Sequence, residues 1–324
     1  MSSLSNLFRS LPIHIIDKIN GKLLGDGNIS IEKNKKPRLR FSHCLHDKEW
    51  ALHCYKELKD YIPFSKPRER KIFDERIKAG FTESIYVQSL TFSAIVDLRD
   101  IWYKERRKVI PFGFLEKRIS PLTIAWWYQD DGHLKCENGV IKKIILSTDS
   151  FSKEENIQLI NLLDRFYHFK FKLDGQNRII LYEKAQILYF LDVIKPYLHS
   201  SMRRKYTIPM HPSSRVKNKR TTVYLPVFIK FESPTKDIRN ILSNLTTLQL
   251  ILNHPIKYHE LMFRWYESIK TATHKGNCYQ VVINLEQLEI IHNVQQRTGL
   301  TLSQIVYLCY KIQQYDLIEK EDCQ

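Results

Sequence analysis

From Ser2 to about Tyr206 the chain runs through one order of element types twice. Such a repeat constrains the fold more than any other feature, because two copies of one unit in a single polypeptide build a pseudo-twofold molecule. In the first copy the apolar stretch Leu11–Leu24 runs into Gly25-Asp26-Gly27. Strand-like segments Asn28–Glu32 and Arg38–His43 follow, then a helical run Asp47–Ile62, strands Arg70–Phe73 and Ile85–Phe92, and a helix Ala94–Tyr103. In the second, Leu122–Asp130 runs into Asp131-Gly132, with strands at His133–Cys136 and Ile141–Ser147. Ser152 caps a helix Lys153–Phe169, with Glu155 at the capping-box position. Strands Lys170–Leu173 and Arg178–Tyr182 flank the turn Asp174-Gly175-Gln176-Asn177, and a helix Ala185–Leu198 closes the half. Each half reads as helix, hairpin, helix, hairpin, helix, so an α+β fold with antiparallel sheets is expected, its halves spanning 1–110 and 111–208.

Lys and Arg outnumber Asp and Glu by 51 to 35, a formal charge of +16. That excess favours a polyanionic partner, with duplex DNA the first to consider. Eight of the basic residues, Arg203, Arg204, Lys205, Arg215, Lys217, Lys219, Arg220 and Lys230, lie between Ser200 and Lys230 with no acidic residue among them, which marks 209–234 as a basic linker. No apolar run approaches the ~20 residues needed to cross a bilayer, and Met1–Gly21 lacks the apolar core of a secretory signal. A soluble, non-secreted protein with no membrane partner is the expectation. The six cysteines form no C-x-x-C pair and read as reduced thiols, which points to an intracellular, reducing compartment and is compatible with an organelle, mitochondrion or chloroplast.

The two acidic-glycine turns lie 105 residues apart, about the length of a half. An isolated Asp-Gly does no more than end a helix, but recurrence in register suggests paired roles. A carboxylate at a helix end can ligate a hard divalent cation, since Mg²⁺ takes oxygen ligands and is often held by one or two carboxylates together with substrate phosphates. Two such ends about a twofold axis would serve two phosphates.

The residues that carry these turns resemble a known family. Ile19-Asn20-Gly21-Lys22-Leu23-Leu24-Gly25-Asp26-Gly27 resembles the first LAGLIDADG motif, and Ile124-Ala125-Trp126-Trp127-Tyr128-Gln129-Asp130-Asp131-Gly132 the second, in the WWYxDDG form of one subfamily of homing endonucleases. The resemblance implies a duplicated αββαββα core over roughly residues 10–208, with the two motif helices packed together at its centre. Gly21 and Gly25 would permit the close approach, while Trp126 takes the place of a small residue. It further implies that Asp26 and Asp131 are the catalytic, metal-binding carboxylates, served by Mg²⁺ or another divalent cation such as Mn²⁺, and that both strands of a long, rare duplex site are cut. Asp130 would be a further ligand or a helix-end charge, with Asp131 favoured as the direct ligand. Lys184 follows a strand at the place where the family often carries a basic residue near the active site.

By the same resemblance the sheets would lie in the major groove, where base pairs are distinguishable. Arg38, Arg40 and Ser42 in the first half and Lys142, Lys170 and Lys172 in the second are the candidates for base contact. Arg68, Arg70, Lys71, Arg106, Arg107 and Lys108, with Lys217, Lys219 and Arg220 of the linker, are the candidates for phosphate. The remainder divides into a helical segment, 235–275, with helices Thr235–Leu252 and Ile256–Thr271, and a last segment, 276–324. There a strand Tyr279–Leu285, a helix Glu286–Thr298 ended by Gly299, and a helix opened by Thr301 resemble a ribbon-helix-helix unit, which pairs strands between two copies. With three basic against six acidic residues from Asn277 to Gln324, this tail suits self-association better than DNA reading, beside a monomeric core. Two other functions fit the same composition: an intron-encoded maturase acting on its host intron RNA, and a DNA-binding regulator without cleavage.

Overall fold

The computed structural model describes residues 11–76, 78–208, 220–272 and 276–321. The chain forms two compact units. The first comprises Met1–Arg165, Lys170–Tyr182 and Ile194–Ile208, and the second Phe166–Phe169, Glu183–Val193 and Pro209–Gln324.

The first unit is the duplicated α+β core. Its first half runs α1 (Ile13–Leu24), β1 (Asn28–Ser30), β2 (Arg38–Cys44), α2 (Lys48–Leu58), β3 (Arg68–Phe73), β4 (Phe81–Gln88) and α3 (Ser93–Trp102). A small hairpin, β5 (Tyr103–Lys104) and β6 (Arg107–Lys108), and a single turn, α4 (Phe112–Leu115), lead to the second half: α5 (Pro121–Asp131), β7 (Gly132–Glu137), β8 (Val140–Leu146), α6 (Lys153–Tyr167), β9 (Lys172–Leu173) and β10 (Ile179–Leu181). The two sheets have the same strand order, β1-β2-β4-β3 and β7-β8-β10-β9, and every pairing is antiparallel. Equivalent positions therefore correspond across the pseudo-twofold: Asn28, two residues after Asp26, pairs with Arg40, and His133, two after Asp131, pairs with Ile145.

The helices at the centre explain why the motif is spelled as it is. Every residue of α5 from Thr123 to Asp130 is buried, as expected of a helix enclosed on all sides. Ser120 caps it by accepting from the Thr123 N–H, with Pro121 in the first turn where a missing donor costs nothing. Contact with α1 is so close that a Cβ on Gly21 would stand 2.5 Å from the Trp126 Cβ and 2.6 Å from the Thr123 carbonyl, and one on Gly25 would stand 2.6 Å from the Asp130 Cβ. Trp126 is accommodated because Gly21 faces it. In α6 the capping box forms as the sequence requires, Ser152 Oγ accepting from the Glu155 N–H at 3.1 Å and Glu155 from the Ser152 N–H at 2.8 Å. Several strands end differently from expectation. β4 stops at Gln88, ahead of α3, and β9 begins at Lys172, leaving Lys170 outside the ladder and ion-paired to Asp164 at 2.7 Å.

The second unit holds α7 (Lys184–Ile194), α8 (Pro234–Ile241), α9 (Leu245–Asn253), α10 (Pro255–Ala272), α11 (Leu285–Thr298) and α12 (Leu302–Glu321), with a ribbon of β11 (Arg220–Pro226) and β12 (Gly276–Val282). The closing helix of the second half thus clusters with the C-terminal residues and not with the first unit. The ribbon corrects the reading of the tail. The strand lies three residues earlier than expected, because Asn284 accepts from the Gln287 N–H and starts the helix at Leu285. Its partner is β11, within the same chain, over seven residue pairs from Arg220↔Val282 to Pro226↔Gly276, so one edge of the strand is paired inside the chain. Part of the segment read as linker is therefore a strand, whereas Lys217 and Lys219 lie outside the described residues. Gly299 closes α11 in the left-handed conformation, φ 71°.

Candidate active site

The two acidic turns converge at the ends of α1 and α5, and Asp130 joins them. Facing Gly25 across the helix contact, it reaches into the first half, where its carboxylate takes three donors: Lys22 Nζ at 2.8 Å, Trp50 Nε1 at 2.8 Å and the Asp26 main-chain N–H at 3.2 Å. The side chains of Lys22 and Asp130 are both fully buried. Lys22 also contacts His43 Nε2 at 2.8 Å, and His43 Nδ1 stands 3.2 Å from Asp26 Oδ2. Asp26 itself keeps 37% of its side chain exposed.

Two more lysines grip the turns from outside. Lys108 reaches the Gly27 and Gly25 carbonyls at 3.1 and 3.4 Å, and Lys205 the Asp130 and Gln129 carbonyls at 2.6 and 2.7 Å. They are a matched pair, each following its half and each holding that half's own acidic turn. Burial depresses both ammonium groups below the usual lysine range, against the pull of the neighbouring aspartates.

The electrostatics follow from so many acids in little water. Burial, with the Asp130 charge added, pushes Asp26 up to about 6, against the opposing pull of Lys22, Lys205 and Lys108. Asp131 is pushed further, to about 8, by burial and by Asp26 and Asp130 together, with Lys108 and Lys205 pulling the other way. His43 is held down at about 3 by burial and by Lys22. The Lys22 ammonium is raised: burial works against its charge, but Asp130 and the other acids around it outweigh that.

The donor set suits a hard cation. Asp26 and Asp131 oppose each other as like charges that a divalent ion would relieve, and both offer oxygen. Donor atoms of Asp26, His43 and Asp130 also lie within 4.8 Å of one another. That trio is a poorer cage, since Lys22, Trp50 and the Asp26 N–H already occupy the Asp130 carboxylate, and Lys22 faces the free His43 nitrogen.

Sequence reasoning named Asp26 and Asp131 but not the two lysines that hold their turns. Lys184 opens α7 in the second unit, where it packs against Gly299. Lys108, expected on phosphate, and Lys205, counted only as part of a basic run, stand at the site. Two signals for the missed residues were present: Lys22 interrupts the apolar run of α1, and His43 takes an inward position of β2 that alternation reserves for apolar side chains.

The remaining expected residues are spread over the two four-stranded sheets, the β5–β6 hairpin and β11. Arg38, Arg40 and Ser42 share the outer face of β2, and pairing through β4 sets Arg68 and Arg70 on the same face. The Arg70 guanidinium lies 3.3 Å from the centre of the Tyr86 ring, while Arg40 is ion-paired to Glu32 at 2.8 Å. Lys71 alternates to the opposite face, 3.5 Å from the Phe81 ring centre. Arg106 is exposed in the β5–β6 turn, whereas Arg107 is tied to Glu155 at 2.9 Å. In the second half Lys142 and Lys172 are exposed on β8 and β9, and Lys135 pairs across the ladder with Lys143, two further cations that were not anticipated. Arg220 begins β11 in the second unit.

Known proteins are similar to this chain. The profile of the LAGLIDADG DNA endonuclease family matches residues 16–190. DNA endonuclease I-ChuI of Chlamydomonas applanata is 31% identical over 209 residues, covering 58% of this chain and 92% of that protein. The cytochrome b mRNA maturase bI2 of Debaryomyces hansenii is 26% identical over 213 residues, covering 63% of this chain and 78% of that one. The solved structure of the homing endonuclease I-WcaI bound to its DNA recognition sequence aligns with a TM-score of 0.55 at 22% identity, over 62% of this chain and 89% of that one, a likeness of fold. With the profile spanning more than half of the sequence and both of its acidic turns, the chain belongs to the LAGLIDADG DNA endonuclease family.

Proposed function

We propose that the protein is a sequence-specific, divalent-metal-dependent endonuclease that hydrolyses both strands of duplex DNA, one at Asp26 and one at Asp131. The observation that carries this reading is the pair of carboxylates, brought together at two helix ends and each pushed upward by burial and by its neighbours, with a half-buried lysine holding each turn. Asp26 and Asp131 would hold Mg²⁺ or Mn²⁺, which would supply Lewis-acid chemistry for phosphodiester hydrolysis. The chain's own residues do the rest. Asp26 and Asp131 hold the ligand oxygens in place, and Lys108 and Lys205 fix the turns and add positive charge where the phosphate gains negative charge. Arg38, Arg40, Arg68 and Arg70 on one sheet, and Lys135, Lys142, Lys143 and Lys172 on the other, serve phosphates and base edges. The setting we propose is an intracellular, reducing one, an organelle among the candidates.

The test is cleavage of a randomised duplex library by the full chain, with Mg²⁺ and with chelator. Mg²⁺-dependent cutting at one recurring sequence, lost in Asp26→Asn and in Asp131→Asn while DNA binding persists, is expected. Cutting that survives either substitution would overturn the assignment. A second reading, assistance to the splicing of a host intron RNA, is favoured by the maturase relative, whose similarity spans the greater part of this chain. Intron splicing stimulated by the full chain, with no cleavage of the library, would select it.

A further inference from the structure

Among the described residues, a ring nitrogen stands against Asp26 and none against Asp131. Lys22 has three N–H donors and no acceptor, so the nitrogen it faces at 2.8 Å, His43 Nε2, must be the acceptor. That fixes the tautomer and leaves the proton on Nδ1, 3.2 Å from Asp26 Oδ2. Lys22 is itself held by Asp130 at 2.8 Å, and Asp130 by Trp50 at 2.8 Å, in a place closed to water. The series from Trp50 to Lys22 is hydrogen-bonded at each step, and His43 Nδ1 ends it in contact with the Asp26 carboxylate.

The second half lacks it. Counting from the equivalent pairs Asn28↔Arg40 and His133↔Ile145, the residue three beyond Arg40 is His43 and the residue three beyond Ile145 is Thr148. Thr148 is fully buried, but its hydroxyl donates to the Asn177 carbonyl at 3.2 Å and its own carbonyl accepts from the Asn156 amide at 3.0 Å. Among the described residues no ring, ammonium or guanidinium nitrogen stands as near to the Asp131 carboxylate, where Lys108 and Lys205 act only as charges at longer range.

We infer that His43 is a positioning residue that fixes one carboxylate oxygen of Asp26, so that the two strands of the duplex are cut by unequal centres. This rests on the endonuclease reading and deepens it. A fixed carboxylate presents its free oxygen in one direction, whereas an unfixed one must be ordered in each catalytic cycle; the Asp26 strand is the one cut first.

The experiment separates the donor from the ring. His43→Gln can keep an acceptor towards Lys22 but loses the Nδ1 proton, while His43→Asn can place an amide N–H at the Nδ1 position. The probe is the duplex recovered from the library, labelled separately on each strand and cut in single turnover with Mg²⁺. In His43→Gln one strand should slow at least tenfold and the other less than threefold, with nicked product accumulating and DNA affinity unchanged within twofold. His43→Asn should return the slow strand to within threefold of wild type. Equal slowing of both strands, no slowing of either, or His43→Asn as slow as His43→Gln would overturn the inference. Wild-type protein that cuts nothing would overturn the endonuclease reading instead. The tautomer is then read directly from the ¹⁵N shifts of the His43 ring in DNA-free protein, where an Nδ1–H form is expected and an Nε2–H form would overturn the positioning role.

Discussion

Lys22→Met would test the buried pair between the halves most directly. The side chains of Lys22 and Asp130 are fully buried and 2.8 Å apart, and the ammonium also lies 4.5 Å from the centre of the Phe41 ring. Methionine fills similar space without the charge, and strands the Asp130 carboxylate with the donors of Trp50 and of the Asp26 main chain. Removing one partner of a buried ion pair costs about 3–5 kcal/mol, because the desolvated charge left behind is uncompensated. At ~2–4 °C per kcal/mol for a domain of this size, that is a fall in Tm of about 6–20 °C. Adding Asp130→Asn removes the stranded charge while an acceptor for Trp50 remains, so the double variant should regain about 2 kcal/mol or more of that loss. Thermal unfolding in metal-free buffer near pH 7, followed by circular dichroism and calorimetry, measures both. A Tm loss under about 3 °C in Lys22→Met, or a double variant no more stable than the single, would refute the picture of a dry, mutually dependent pair.

Asp131 carries a pH signature. Its carboxyl, ordinarily at 3.8, stands at about 8 in the fold, so the stability it contributes is complete below 3.8 and is lost as pH rises through about 8. Asp131→Asn, which cannot ionise, should therefore melt several degrees above wild type at pH 8 without metal and level with it near pH 4, and added Mg²⁺ should narrow the gap by stabilising wild type alone. Gly21→Ala places a Cβ 2.5 Å from that of Trp126, and calorimetry should record at least the ~1–3 kcal/mol loss of an overpacked site; an unchanged Tm would mean that the helices separate easily. Lys108→Met and Lys205→Met should each slow cutting about a hundredfold with DNA affinity changed by less than about threefold, as for loss of one transition-state charge contact; a loss confined to affinity would make them ordinary phosphate contacts.

The parts of this structure legible in the sequence are those that local patterns specify. The duplicated order, the Ser152 capping box and the acidic turns each depend on residues a few positions apart. Lys108 and Lys205 had no such pattern, since each reaches its turn from a segment 82 and 74 residues beyond the aspartate concerned, and only the folded half sets that distance. The partner of β12 was hidden for a related reason: an edge strand advertises unpaired donors without naming what fills them. Arg220-Thr221-Thr222-Val223-Tyr224 did carry the β-branched and aromatic residues of a strand, masked by the basic run before it. Lys71 was assigned by charge when alternation with Arg70 already put it on the other face.

The contact between Gly25 and Asp130 also says something about ancestry. A twofold assembly of two first halves would set glycine against glycine and leave each Lys22 without an anion, and two second halves would drive Asp130 against Asp130. The halves have thus diverged past the point at which either could serve as its own mate, and one polypeptide must carry both. Recombination between relatives can exchange a half only if lysine and aspartate travel as a matched set. Any chimaera that separates them inherits an interface with one sign of charge sealed inside it.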